Sequence, residues 1–230
     1  MQPQTPLMAR TASVPALARN RVLRNTYLLL AISMVPTVAG AMLGLQLHFR
    51  GFAGHPAMGF ILFLAIAFGF FYGIEKTKNS GWGVALLLGF TFFMGLMLSN
   101  MLGLVLGMAN GGSLVALAFG GTAVIFGAMA TLGTVVKRDL SSLSKFLFIG
   151  VILLILAMFA NIFLQLPGLM IATSLIAIAI FSAFMLIDVQ RIVMGGETNY
   201  ITATLMLYLD LYNVFVNLLA LLGITGGSND

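Results

Sequence analysis

The sequence predicts an all-α fold, an integral membrane bundle of seven transmembrane helices. Three observations lead there. Only 7% of the 230 residues are charged, against roughly 25% in a soluble domain, and the mean hydropathy is +1.09. Apolar segments of about 20 residues, the length that crosses a bilayer as a helix, recur along most of the chain. The basic residues sit in the breaks between them, and ten of the eleven Lys and Arg fall on alternate breaks.

Residues 1–24 carry Pro3, Pro6, Pro15, Arg10, Arg19, Arg21 and Arg24 without a sustained apolar stripe, which predicts a flexible cytoplasmic tail. A short amphipathic surface helix over 14–23 is the alternative there. No apolar signal-peptide core occurs in this stretch, so the first span is expected to act as an uncleaved signal anchor. A single transmembrane domain is expected over 25–224, with a short C-terminal tail over 225–230.

The first span is placed at 26–47, where Pro36 removes one backbone hydrogen bond and favours a kink. The loop after it holds His48, Arg50 and His55, two histidines without a third ligand, and reads as a solvated loop. The second span, 57–74, ends at Glu75-Lys76-Thr77-Lys78. The third, 82–106, opens on Trp82 as an interface anchor. The fourth, 114–136, runs into Lys137-Arg138-Asp139, and the fifth, 145–166, stops at Pro167-Gly168. The sixth and seventh are placed at 169–190 and 201–224. Gly40/Gly44, Gly69/Gly73 and Gly103/Gly107 fit the G-x-x-x-G spacing of close helix contacts. They are read as packing within the bundle first and as a homo-oligomer interface second.

Loops assigned alternately to two sides give ten Lys/Arg on the side of the N-terminus and Arg50 alone on the other. Positive charge is retained on the cytoplasmic side, so the N-terminus is expected inside and, after seven spans, the C-terminus outside. These cations flank apolar segments rather than forming one patch, which makes them topology signals and not a nucleic-acid surface. With no cysteine in the chain, disulfides, thiol catalysis and Cys-ligated metals are excluded. No P-loop, serine-nucleophile elbow or H-E-x-x-H pattern occurs. The chain is therefore expected not to be an enzyme and to carry no cofactor.

Two of the six acidic residues, Asp188 and Asp210, lie inside apolar spans. An ionisable group at membrane depth is costly unless it faces protein or water, and by default it marks a functional site. Asp210, Asn213 and Asn217 share one face of the seventh helix, a polar stripe that should turn inward. The sixth and seventh helices are antiparallel, so both acids enter from the same side, at depths that differ by under about 10 Å for a 1.5 Å rise per residue. If the helices tilt enough for the acids to meet, two carboxylates in a low-dielectric site cannot both ionise cheaply. The pair would then share a proton near neutral pH. Deprotonated, it would attract a hard cation such as Ca2+, or a neighbouring base, with Arg191, Lys76 and Lys78 as candidates. The alternative is that each acid makes a structural hydrogen bond or ion pair. Intramembrane aspartyl proteolysis would need the same residue type, but its G-x-G-D context is absent. Glu197, Asn199 and Tyr200 are read as capping the turn between the two helices.

Four stretches are familiar: R-N-T-Y at Arg24–Tyr27, A-N-I-F-L-Q-L-P at Ala160–Pro167, G-G-E-T-N-Y-I at Gly195–Ile201, and L-Y-N-V-F-V-N-L-L-A-L-L-G at Leu211–Gly223. With the seven-span pattern they make the chain resemble the Bax inhibitor-1 family, more closely its bacterial YccA-type members, over nearly everything after residue 20. The resemblance implies a multi-pass protein of the bacterial inner membrane and two functions. YccA-type members resemble slowly degraded substrates that modulate the membrane AAA protease FtsH, and this is the first expectation, with the N-terminal tail as the handle. The wider family includes pH-sensitive calcium leak pathways sensed by two aspartates on helices six and seven. Asp188 and Asp210 are the matching positions, and a cation leak is the alternative expectation.

Overall fold

The computed structural model describes residues 16–49, 56–138 and 140–226. Among them are seven α-helices and no strand: α1 Ala16–Gln46, α2 Pro56–Thr77, α3 Gly81–Leu106, α4 Gly111–Val135, α5 Ser141–Leu164, α6 Pro167–Val193 and α7 Tyr200–Gly226. All seven are long and apolar enough to cross a membrane. A bilayer offers no water to unpaired backbone groups, so an apolar chain of this kind must satisfy them within each segment, as a helix does. The expected residues 1–15 of the tail, Arg50 and His55 of the first loop, Asp139, and residues 227–230 lie outside the described residues.

Two starts differ from expectation by more than a turn: α5 begins four residues early, at Ser141, and α1 ten residues early. α1 begins at Ala16, so the last nine residues of the stretch read as a tail are helical. The segment A-L-A-R-N-R-V-L-R-N contains no Gly or Pro and is rich in strong helix formers, so nothing in it ends the helix. Its polarity reflects exposure of Arg21 and Arg24, not a coil. Arg19 Nη1 donates to the Val193 carbonyl at the end of α6, 3.1 Å away. There it satisfies an acceptor that helix geometry leaves orphaned and places positive charge at the negative end of a helix dipole. α1 then runs unbroken through Pro36.

α7 is the hub. It packs against α1, α2, α3, α4 and α6, whereas α5 leans on α6 and touches α2 along one edge, where Phe60 and Phe159 meet. Tyr208, Leu207 and Ile201 of α7 are fully buried with Phe90 and Leu87 of α3 and Ile74 of α2.

The most extensive helix pair is α1 with α3, and small residues close it. A Cβ added to Gly95 would overlap the Thr37 carbonyl, one on Gly40 the Phe92 carbonyl, and one on Gly44 the Ser99 side chain. The Gly40/Gly44 pair therefore serves packing within the bundle. Gly69 is different: a Cβ there would meet nothing within 4 Å.

Long-range hydrogen bonds gather four breaks at one end of the bundle. Arg19 joins the start of α1 to the end of α6. Asn199 Nδ2, after α6, donates to the Lys78 carbonyl between α2 and α3 at 2.9 Å. Gln190 Nε2 donates to the carbonyls of Val136 and Arg138 after α4, both at 2.8 Å. The breaks that carry the basic residues are thus brought to one face, as their alternation requires.

Candidate functional site

The α6–α7 corner is built by local sequence. α6 ends when Gly195 takes φ 80°, a left-handed conformation suited to glycine. The Gly196 N–H donates back to the Arg191 carbonyl at 2.8 Å and closes the helix end. Glu197 Oε1 then accepts from the N–H groups of Thr198 and Asn199, at 2.8 and 2.7 Å. Asn199 Oδ1 caps α7 by accepting from the N–H groups of Ile201 and Thr202, at 2.9 and 3.1 Å. The stretch G-G-E-T-N therefore fixes where α6 stops and α7 starts, and with that the register of every residue on the two helices.

That register sets Asp188 five residues before the end of α6 and Asp210 ten residues into α7. At 1.5 Å per residue their depths differ by roughly 7–8 Å, a gap that side-chain reach and helix tilt close. The two carboxyl groups lie within hydrogen-bonding reach of each other. Both residues are buried, at 8% and 6% exposure. Asp210 Oδ2 finds no donor among the described residues. Arg191 Nη1 lies 4.0 Å from Asp188 Oδ1 at the rim of the pair and is more exposed than the acid.

The other sequence candidates are placed elsewhere. Lys76 lies over the Tyr72 ring, 5.5 Å from its centroid. Lys78 pairs with Glu75 one turn back, a hydrogen bond that holds its ammonium above its ordinary range. The α2–α3 turn meets the corner through the Lys78 carbonyl, not its charge, so of the three candidate cations Arg191 alone reaches the acid pair. Asn213 and Asn217 donate to the carbonyls of Leu209 and Asn213, each at 2.8 Å and each four residues back. The amide donors of the stripe below Asp210 are thus spent within α7; an i−4 carbonyl is the acceptor closest to hand on any helix.

Three residues that frame the site carry no sequence signal of that role. Gln190, two residues beyond Asp188 and buried, spends its amide on the α4–α5 break. Tyr208 and Tyr212 stand two residues to either side of Asp210. The Tyr208 hydroxyl lies 2.9 Å from Thr37 Oγ1 on α1, and the Tyr212 hydroxyl donates to the Met94 carbonyl on α3 at 3.2 Å. Their i, i+4 spacing is visible in the sequence; their partners are not. Among the described residues no three His, Cys, Asp or Glu side chains come together as a metal cluster would require.

The family model described as Inhibitor of apoptosis-promoting Bax1 matches residues 19–227. The chain is 38% identical over 207 residues to Modulator of FtsH protease YccA of Escherichia coli K12, covering 90% of this chain and 91% of that protein. Inner membrane protein YccA of Escherichia coli O6:H1 matches with the same identity and coverage. A protein of Vibrio cholerae named as an uncharacterized membrane protein is 35% identical over 226 residues, 98% of this chain and 99% of its own.

Proposed function

The chain belongs to the Bax inhibitor-1 family, and from that premise we propose that it is a non-enzymatic protein of a bacterial inner membrane that modulates the membrane protease FtsH as a slowly degraded substrate. The observation that carries this reading is the match, over nine-tenths of both chains, to a relative named as a modulator of that protease. The architecture supports it. A processive protease that pulls from the N-terminus must first extract α1, and α1 forms the most extensive helix pair of the bundle. Glycine-mediated backbone contacts with α3 and the Thr37–Tyr208 hydrogen bond to α7 resist that extraction. The handle is the stretch before Ala16, on the side that the basic residues mark as cytoplasmic.

The test is degradation of a second membrane substrate by FtsH in reconstituted vesicles. Full-length protein should slow it, and deletion of residues 2–15 should remove the effect. Unchanged degradation in the presence of the full chain would sink the reading.

A second reading rests on a different observation, the buried carboxyl pair. We propose that Asp188 and Asp210 gate a cation leak, with Ca2+ as the ion passed rather than a resident cofactor. A proton on the pair leaves one negative charge facing Arg191; its loss leaves two, which attract a hard cation. Calcium efflux from liposomes should depend on pH in the wild type and lose that dependence in Asp188→Asn and Asp210→Asn. Flux no greater than from empty liposomes, with folded protein inserted, would dismiss the leak and leave the pair structural. The tail deletion should spare any leak, and the two Asn variants should spare protease modulation.

A further inference from the structure

A cavity of about 640 Å³ lies between α1, α3, α4 and α7, in the half of the bundle away from the basic end. Its walls are the second half of α1, the second half of α3 and the first half of α4, and α7 forms its floor through Tyr208, Leu211, Tyr212 and Phe215. The backbones of α1 and α4 flank it and stay apart, no Cα atom of one lying within 8 Å of one of the other. At the basic end the edge-on rings of Tyr27 and Phe126, 5.9 Å apart, bridge the two helices and close the slot.

The gap is built by missing side chains. Where α4 lines it the residues include Gly112, Ala116 and Ala123, and a Cβ added to Gly112 would meet nothing within 4 Å. This is the reverse of the α1–α3 seam, where small residues bring backbones into contact. The lips carry Val38 and Met42 on α1 and Phe119 on α4, exposed at 56%, 57% and 65%. The slot is therefore continuous with the bilayer-facing surface.

Hydrocarbon depth supplies no water to fill such a space, and an empty one would forfeit the dispersion contacts of its whole lining. Lining and opening select the occupant: the walls are almost wholly apolar, and the slot opens sideways to the bilayer between Val38 and Met42 on α1 and Phe119 on α4, where the neighbour is lipid. A methylene is about as large as a water molecule, whose share of liquid volume is about 30 Å³, so a chain of about sixteen carbons needs roughly 500 Å³. We propose that this slot is a lipid site that seats one acyl chain of a bilayer phospholipid, entering sideways between α1 and α4 and lying against α7 on the turn that flanks Asp210.

The experiment uses full-length protein in nanodiscs containing a phospholipid with a photoactivatable diazirine near the end of one acyl chain. Labelled positions are mapped by mass spectrometry after irradiation. Label should concentrate on the recessed residues Leu98, Leu102, Leu211 and Phe215. In an Ala116→Trp/Ala123→Trp variant, which fills the slot, label there should fall several-fold while outward-facing Val35 and Leu153 keep theirs. Native mass spectrometry of the wild type should show one retained phospholipid. If the double Trp variant does not fold, Ala116→Leu and Ala123→Leu singly serve the same comparison. Floor residues labelled no more than the outward belt, labelling that filling leaves unchanged, or adducts between protein chains in place of lipid would each overturn the proposal.

Discussion

The α1–α3 seam and the α6–α7 corner hold the same bundle together by opposite means. At the seam, Gly40, Gly44 and Gly95 remove side chains so that backbones touch, and shape complementarity does the holding. At the corner, Glu197, Asn199, Gln190 and Arg19 hold segments together by hydrogen bonds to backbone groups, and the close contact is between two acids. A seam held by shape resists displacement and has little to respond with. A corner held by single polar contacts depends on the identity of each side chain, and the two carboxyl groups stand among those contacts. Packing by shape and holding by polar groups are thus placed in separate parts of one molecule.

The sharpest way to break the comparison is a side chain in the seam. Gly95→Leu forces a Cβ into the Thr37 carbonyl and should destabilise the bundle by about 3 kcal/mol, the upper end of overpacking costs. Gly69→Leu, where a Cβ meets nothing within 4 Å, should stay within about 0.5 kcal/mol. Thermal unfolding in detergent reads both. Equal effects would show that the seam is not set by its glycines. A smaller loss is expected at the corner. Gln190→Ala removes two hydrogen bonds of 2.8 Å to the α4–α5 break, about 1 kcal/mol each. The change should loosen the end of α4 first, and exchange of the amide hydrogens around Val136 would register it.

The two regions were also unequally legible in the sequence. Seven apolar segments gave seven helices because in a bilayer apolar length alone forces a helix. The corner could be read because G-G-E-T-N acts locally: a left-handed glycine, an acid that folds back on the next two N–H groups and an Asn cap reach partners within a few residues. Asp188 and Asp210 could be placed at similar depth for the same reason, since a short turn fixes their register. The seam could not be assigned. Gly40/Gly44 and Gly69/Gly73 have identical spacing, yet the first pair is pressed against α3, while a Cβ on Gly69 meets nothing and one on Gly73 meets only the tip of Leu86, at 3.1 Å; spacing along one helix does not say which neighbour it meets. Gln190, Lys76 and Lys78 escaped for a related reason. Their partners are set by how helices come together at the bundle end, and charge counts carry only the side of the membrane. The start of α1 was misjudged because polarity was taken for coil, although a helix that leaves the bilayer turns polar without ending.

The smallest effect tests whether the two regions are joined. Arg19 on α1 donates to the Val193 carbonyl at the end of α6 and so joins the first turn of the seam helix to the corner. Arg19→Gln removes the positive charge from the C-terminal end of α6, worth about 0.5–1 kcal/mol. A loss of that size leaves the melting temperature nearly unchanged, because the seam itself is untouched. It should instead raise local opening of residues 16–24 by roughly two- to fivefold, since 1.4 kcal/mol is tenfold in an equilibrium. Hydrogen exchange over that segment measures it, and FtsH should then engage the variant sooner. Unchanged exchange would mean that the first turns of α1 stand on their own helix propensity. The start of α1 and the acid pair would then be independent, and a change of charge at the corner would not reach the end proposed as the protease handle.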